Sequence, residues 1–342
     1  MPIERINISQ LFDYQQDSVI IDVRTPAEFE QGHIIGAFNL PLFTNEERAI
    51  VGTAYKRQSP QNALIKGLDL IGVKLSYFIK RAQKMAVGKR IIVHCWRGGK
   101  RSGSMAWLLD LAGMNVVVLE GGYKAYRTYV QASFDLPLLL NVLGGKTGTG
   151  KTVILSYLRE YNAQVIDLEA LANHKGSAFG ALGEDPQPKT EHFENLLFED
   201  IRQLDTSKTI WIENESKGIG TAFLPQGFWD NMKIGKLINI EIPYDLRVLR
   251  SMEDYKKYPK EDLIAIFKNI ERKLGGQHCK AAIDALENDD YTTAAEIALV
   301  YYDKTYQHSF EQNPTVAVSQ ITYPHADMKE IAKDLIKEYC SI

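Results

Sequence analysis

The stretch His94–Ser104, HCWRGGKRSGS, follows the β-branched run RIIVHC (Arg90–Cys95). It leads into SGSMAWLLDLAG, where Met105, Leu108, Leu109 and Ala112 recur on one helical face before Gly113. The first pattern reads as a strand and the second as a helix. A loop joining a strand end to a helix start turns its backbone N–H groups toward the positive end of the helix dipole, where an anion is held. Gly98 and Gly99 let that loop curl without Cβ clashes, and Arg101 offers a bidentate fork for an oxyanion. Trp96, Arg97, Lys100 and Ser102 complete the expected anion-binding loop. A thiol in this setting has a depressed pKa and is nucleophilic at neutral pH, so Cys95 is the candidate catalytic residue. The competing reading is a buried cysteine beside a structural turn.

Outward from the loop, SVIIDVR (Ser18–Arg24) and NVVVLEGG (Asn115–Gly122) are apolar at nearly every position, as strands buried on both faces of a parallel sheet are. Between them, TPAEFEQ has Thr25 as a helix N-cap, Pro26 at N1 and Glu28 at N3. A second alternation begins at FDLPLLLNVLGG (Phe134–Gly145), with strands expected at Ala163–Leu168, Thr209–Asn214 and Lys236–Pro243. EHFENLLFEDIRQL reads as an amphipathic helix with Phe193, Leu196, Leu197, Ile201 and Leu204 inward. After Tyr244 strand signals fade and helical patterns dominate. The expected organisation is α/β: a domain with the cysteine over 1–133, a second α/β domain over 134–244, and a mostly helical extension over 245–342.

The 342 residues, 45% apolar and 24% charged, have ordinary globular composition, and the length suffices for two domains. The opening MPIERINISQLFDYQQDSVIIDVR has no basic run followed by an apolar core, so no secretory signal is expected, and no apolar run is long enough to span a bilayer. The expected location is cytoplasmic, without a membrane partner. A net charge of −3 excludes a global polycation, so a nucleic-acid partner would need a local basic face. Three distant cysteines, Cys95, Cys279 and Cys340, form neither a disulfide framework nor a zinc pattern. Cys279 and Cys340 read as buried or incidental thiols.

GKTGTGKT (Gly145–Thr152) fits G-x4-G-K-[ST] after an apolar strand and before a helix, the context that a phosphate-binding P-loop requires. Gly145, Lys146, Thr147, Gly148, Thr149 and Gly150 would cradle a di- or triphosphate through backbone N–H groups, with Lys151 bridging and Thr152 near a Mg²⁺ ion. Acidic candidates for positioning water or metal are Asp167 and Glu169 after one strand, and Glu213 and Glu215 after another. Each alone reads more readily as a solvated strand-end carboxylate than as a ligand.

The spacing His-Cys-x5-Arg-Ser satisfies the cysteine-phosphatase signature, whereas sulfur-transferring rhodaneses usually have a loop one residue shorter. IDVRTPAEFEQGHIIGAFNLP (Ile21–Pro41) and LEGGYKAYR (Leu119–Arg127) nonetheless resemble the two rhodanese signatures. That resemblance implies a rhodanese-like domain followed by a P-loop NTPase-like one. Some phosphatases share the rhodanese fold, so fold alone does not decide the chemistry. A phosphatase needs a general acid, and Asp22 and Glu28 are the candidates.

HCWRGGKRSGSMAWLLDLAG, LEGGYKAYR, LGGKTGTGKT, DLEALANHKGSAFG (Asp167–Gly180), WIENESKGIG (Trp211–Gly220) and the insertion NEERAIVGTAYKRQSPQNALIKG (Asn45–Gly67) together resemble the bacterial tRNA 2-selenouridine synthases. The resemblance runs from about Ile21 to Gly220 and more weakly beyond. It implies a transferase acting on the wobble 2-thiouridine of tRNA, exchanging sulfur for selenium with selenophosphate as donor. S-geranylation by geranyl diphosphate is the associated preparatory step. On this sequence it implies Cys95 as the catalytic cysteine, passing through a selenium-bearing intermediate, and the loop through Arg101 as the selenophosphate site. The P-loop then takes geranyl diphosphate or a nucleotide, and the resemblance brings His174 to that site.

For a tRNA partner, Arg247, Arg250, Lys256, Lys257, Lys260, Arg272, Lys273 and Lys280 are the C-terminal basic candidates, and Tyr244, Tyr255 and Tyr258 could stack on unpaired bases. Interleaved acids make a solvated helical face the alternative for each cation, and packing is the alternative for the tyrosines. Two other functional readings stand beside the transferase: a cysteine phosphatase fused to a P-loop nucleotide-binding domain, and a non-catalytic RNA-binding module with a nucleotide switch.

Overall fold

The structure, a computed structural model, describes residues 3–312 and 317–339. The chain divides into two compact units, one reaching Ser133 and taking in Glu194–Leu196, the other formed by Phe134–Phe193 and the chain from Leu197 onward.

In the first unit, β1 (Glu4–Ile6), α1 (Ile8–Tyr14), β2 (Ser18–Asp22), α2 (Pro26–Gln31) and β3 (Phe38–Asn39) lead to three consecutive helices. These are α3 (Asn45–Arg57), α4 (Pro60–Gly72) and α5 (Leu75–Met85), and β4 (Arg90–His94), α6 (Lys100–Leu111), β5 (Val116–Leu119) and α7 (Gly122–Ser133) complete the unit. The strands form one parallel sheet in the order β1-β5-β4-β2-β3. Val19, Ile21, Ile91, Val93, Val116 and Val118 are buried against Phe78, Met105 and Leu109, each fully buried aliphatic side chain contributing about 1.5–3 kcal/mol. Thr25 caps α2 in a reciprocal box with Glu28, behind Pro26 at the first turn. The insertion is helical: Thr44 and Glu47 box the start of α3, and Ser59 caps α4.

The second unit begins with β6 (Leu140–Gly144), α8 (Lys151–Glu160), β7 (Gln164–Ile166), α9 (Leu168–Ala172), α10 (Thr190–Arg202) and β8 (Ile210–Glu213). A small antiparallel ribbon, β9 (Gly218–Ile219) with β10 (Ala222–Phe223), precedes α11 (Gln226–Ile234) and β11 (Lys236–Glu241). Five helices follow: α12 (Tyr244–Tyr255), α13 (Lys260–Asn269), α14 (Glu271–Leu274), α15 (Gly276–Glu287) and α16 (Tyr291–Gln312). β12 (Ala317–Thr322) and α17 (Met328–Tyr339) close the described chain. The parallel sheet runs β12-β11-β6-β8-β7. Trp211 of β8, Ile238 and Ile240 of β11, and Ile331 and Leu335 of α17 share one core.

β12 departs from the sequence reading, which places no strand after Lys236–Pro243. AVSQIT mixes polar and apolar residues, and the strand pairs with β11 alone, from Lys236↔Ala317 to Glu241↔Thr322. An edge strand need not be apolar throughout, so its local signal is weak. In α10, Phe193, Leu197 and Phe198 are buried while Leu196, Ile201 and Leu204 are half-buried, a narrower apolar face than the sequence suggests. Cys279 is buried and donates its S–H to the Phe267 carbonyl at 3.3 Å, a structural thiol. Cys340 lies outside the described residues.

Gly122 shows how closely the Cys95 loop and the start of α7 approach. Its φ is +58°, and a Cβ there would sit 2.3 Å from the Cys95 carbonyl oxygen and 2.5 Å from the Gly98 nitrogen. Gly122→Ala is therefore expected to destabilise the protein by about 1–3 kcal/mol from backbone strain alone, with the clash adding to it. Urea denaturation beside the wild type, reading the shift in midpoint at constant slope, checks this.

Candidate active site

Cys95 leaves β4 and its loop enters α6 at Lys100, two residues earlier than the sequence pattern starts the helix. The Cys95 and Trp96 carbonyls accept from the Tyr123 and Lys124 N–H groups at 2.8 and 2.9 Å, which anchors the loop to α7. Gly98, at φ +64°, turns the chain where a Cβ would lie 2.7 Å from the Leu119 carbonyl oxygen. Ser102 Oγ is 3.3 Å from Cys95 Sγ. Burial opposes ionisation of the thiol, but hydrogen bonds from the Ser102 hydroxyl and from the Ser102 and Arg97 backbone, with the Arg101 charge, outweigh it and hold the pKa below the ordinary thiol range. Trp96, Arg97, Gly99 and Lys100 are exposed on the rim, and Gly98 and Ser102 are buried.

Arg101 differs from expectation. Its fork grips Glu28, with Nη1 donating to Oε2 at 2.7 Å and Nη2 to Oε1 at 3.1 Å. An anion entering the loop shares or displaces that partner. Burial favours protonation of Glu28, but Arg101 and Thr25 override it and keep the carboxylate ionised. Asp22 is fully buried, and Arg24 chelates it with Nε and Nη2 at 2.6–3.1 Å. Burial again favours the acid form, and His94 and Arg24 more than offset it. Both carboxyls are thus held below the ordinary carboxylate range, a setting that disfavours the proton-donor role a phosphatase requires.

The second site is the P-loop. Gly145, Gly148 and Gly150 have φ of +152°, +83° and +83°, and Gly150 caps α8, so Lys151 and Thr152 open the helix. Lys151 Nζ donates to the Gly145 carbonyl at 2.9 Å, and Thr149 donates to the Lys146 carbonyl. Arg247, expected as an RNA contact, is instead buried: its Nε donates to the Thr147 carbonyl at 2.8 Å while its fork holds Asp303. Tyr306 accepts from the Gly145 N–H at 3.0 Å and donates to Asn239. The helical C-terminal segment thus braces the loop.

Beside the P-loop lies a cavity of about 1220 Å³ whose wall includes Lys151, Thr152, Glu169 and Glu215. Thr152 Oγ1 donates to Glu169 at 2.8 Å. Burial, with repulsion from Asp167, raises the Glu169 pKa against the pull of Lys151 and Thr152. Burial and Glu169 push Glu215 up to about 7, although Lys151 opposes them. Glu213 is fully buried beneath the wall, accepts from the Leu168 N–H at 3.2 Å and is pushed well up by burial and by Asp167 and Glu169. Asp167 caps α9 rather than facing the cavity. Among the described residues no cluster of three or more His, Cys, Asp or Glu side chains is arranged to hold a metal by itself. The Thr152–Glu169 pair supplies hard oxygen donors of the type Mg²⁺ takes, provided phosphate oxygens complete the shell.

His174 is off the cavity wall, its ring 2.7 Å from where a Cβ on Gly180 would stand, and the adjacent Lys175 lines the wall instead. Arg250, Lys257 and Lys273, three of the RNA candidates, also line it, with Tyr258. Tyr255 packs with Phe179 in the helical core, ring centroids 4.9 Å apart. Lys257 and Lys260 pair with Asp254 and Asp289. Tyr302 and Tyr306 on the wall belong to a helix whose sequence carries no motif.

Comparison with known proteins gives two family matches: a tRNA 2-selenouridine synthase AAA domain over residues 139–334 and a rhodanese-like domain over 8–129. The tRNA 2-selenouridine synthase of Sulfurovum sp. is 35% identical over 333 residues, covering 86% of this chain and 89% of the relative. That of Nitrosomonas europaea is 37% identical over 248 residues, covering 70% of this chain and 64% of the relative's own length. A solved N-terminal domain of an ATP/GTP binding protein from Clostridium difficile 630 is 42% identical over 37% of this chain and 98% of that one, with a TM-score of 0.35.

The hydrogen bond from Ser102 contributes to the lowered Cys95 pKa. In Ser102→Ala, the pH midpoint for alkylation of the Cys95 peptide by iodoacetamide, followed by mass spectrometry, is expected to move upward. An unmoved midpoint would leave the loop backbone as the source of activation.

Proposed function

The chain belongs to the tRNA 2-selenouridine synthase family, and on that premise we propose that it is a transferase converting the wobble 2-thiouridine of tRNA to 2-selenouridine. Selenophosphate is the selenium donor, and S-geranyl-2-thiouridine formed from geranyl diphosphate is the intermediate. The observation that carries the reading is the pairing, in one chain, of a low-pKa cysteine in an anion-sized loop with a P-loop opening on a large cavity.

The first step belongs to the P-loop. Its backbone N–H groups and Lys151 would hold the diphosphate, and Lys151 Nζ needs only to exchange the Gly145 carbonyl for a phosphate oxygen. Thr152 and Glu169 would hold a Mg²⁺ ion, which would supply charge neutralisation for the departing diphosphate. Phe179, Leu182 and Ile270 give the cavity the apolar wall a geranyl chain requires. The thiocarbonyl sulfur attacks C1 of the geranyl group, the C1–O bond breaks, diphosphate departs, and N3 of the base releases its proton.

Alkylation changes the leaving group at C2. Sulfide is a poor one, whereas an alkylated sulfur departs as a thiol, so two easier displacements replace one hard displacement. Selenium in selenophosphate is already at the selenide level. Moving it onto Cys95 as a selenylsulfide would need an oxidant, so the selenium-bearing cysteine inferred from the resemblance does not balance. Attack of the Cys95 thiolate on phosphorus does: the S–P bond forms, the P–Se bond breaks, and hydrogen selenide is released for attack at C2, expelling geranyl thiol, while water cleaves the S–P bond to return the thiolate and phosphate.

In purified protein given 2-thiouridine tRNA, selenophosphate and geranyl diphosphate, mass spectrometry of wobble nucleosides should show 2-selenouridine from the wild type. Cys95→Ser should accumulate the S-geranyl product with selenation lost. Lys151→Ala should lower geranylation by at least tenfold. Full selenation by Cys95→Ser would sink the assignment, and intact geranylation by Lys151→Ala would take the diphosphate away from the P-loop.

A further inference from the structure

Charge is segregated along the first unit. Residues 45–90 contain ten basic and three acidic residues, a net +7 within a chain whose net charge is −3. One of the three acids, Glu47, is already engaged with Lys74. α5, LSYFIKRAQKM, has no acid at all. Phe78 and Ala82 are its buried residues and set its rotation on the core. Tyr77, Lys80, Arg81 and Lys84 then recur at i, i+3, i+4 and i+7 along the opposite side, all exposed, with Tyr77 at 53%.

Among the described residues none of Lys80, Arg81 and Lys84 is in an ion pair, nor are Lys56, Arg57 and Lys66 of α3 and α4. In the second unit, three exposed lysines pair with neighbouring acids: Lys208 with Asp205, Lys233 with Asp230, and Lys257 with Asp254. A solvated face ordinarily mixes its signs in this way. An unmixed cationic face repels itself until a polyanion covers it, and an aromatic side chain within it adds a platform for a base.

We propose that the solvent face of α5, Tyr77-Lys80-Arg81-Lys84, is a docking surface for RNA, the three cations meeting backbone phosphates and Tyr77 stacking on an unpaired base. The proposal rests on the tRNA-modifying reading and names the part of the chain that holds that substrate. Topology places the surface usefully. α5 ends just before β4 starts and packs beside α6, whose own start is the Cys95 loop. Tyr77, in the first turn of α5, therefore lies toward the end of the sheet where Cys95 sits. Two of the C-terminal candidates are engaged elsewhere: Arg247 braces the P-loop and Tyr255 is core.

The test measures binding of the full-length protein to a 2-thiouridine tRNA by fluorescence anisotropy across a salt series. Lys80→Gln/Arg81→Gln/Lys84→Gln should weaken binding at least tenfold and reduce the slope of log affinity against log salt by about 0.7–0.9 for each lost phosphate contact. Tyr77→Ala should weaken binding about fivefold or more with the slope unchanged. Arg202→Gln/Lys208→Gln, which removes paired cations of the second unit, should change neither quantity. Unaltered iodoacetamide reactivity of Cys95 in each variant reports an intact fold. Wild-type affinity and slope in the triple variant would overturn this surface while leaving the function standing. Failure of the wild type itself to bind tRNA would overturn the function. Loss of binding to phosphatidylserine vesicles, with tRNA binding unchanged, would reassign the face to a membrane and also overturn the proposal.

Discussion

The ion pair between Asp22 and Arg24, sealed under the Tyr123 ring, is the constraint on which the cysteine site rests. Arg24 is 1% exposed, with its guanidinium 3.7 Å from the Tyr123 centroid and Nη2 donating to the Gly32 carbonyl at 2.7 Å. One side chain thus ties the end of β2, the C-terminal end of α2 and the first turn of α7 together. Removing either partner would leave an uncompensated buried charge, at a cost of about 3–5 kcal/mol. Tyr123 also donates its N–H to the Cys95 carbonyl. The cysteine loop therefore inherits its position from a pair that never meets substrate.

Glu28 performs two tasks from the same helix. It closes the capping box of α2 with Thr25 and holds the Arg101 fork at the mouth of the loop. Charge at the loop is thereby balanced by a carboxylate whose pKa the Arg101 fork holds down. The second unit uses an equivalent device. Arg247, anchored by Asp303, donates to the P-loop backbone at Thr147, and Tyr306 accepts from Gly145. Residues more than 90 positions downstream in the chain thus determine how the glycine-rich turn lies.

Much of both sites was legible in the sequence because the information is local. Thr25, Pro26 and Glu28 specify a helix start within four residues, Cys95 through Ser102 a strand-loop-helix turn, and Gly145 through Thr152 a phosphate cradle. Each motif uses neighbouring backbone N–H groups, so spacing alone carries its meaning. His174, Arg247 and Tyr255 were left between two readings for the converse reason. Whether a histidine faces a cavity, an arginine faces solvent or a tyrosine faces a base depends on what packs against it from distant sequence. The Gly180 backbone, Asp303 and Phe179 settle those three cases.

By itself, then, the sequence determined the α/β alternation, the position of the nucleophile, the P-loop and the family resemblance, all consequences of backbone periodicity and short-range hydrogen bonding. Only the tertiary structure decided that Arg101 is shared with Glu28 and that Glu213 lies beneath the P-loop wall while Glu215 opens on it. It also showed that β12 completes the second sheet and that three cations and a tyrosine align on α5 with no acid to pair them. These outcomes depend on which surfaces are buried against each other and on charges brought together across the chain, quantities that do not exist until the chain is folded.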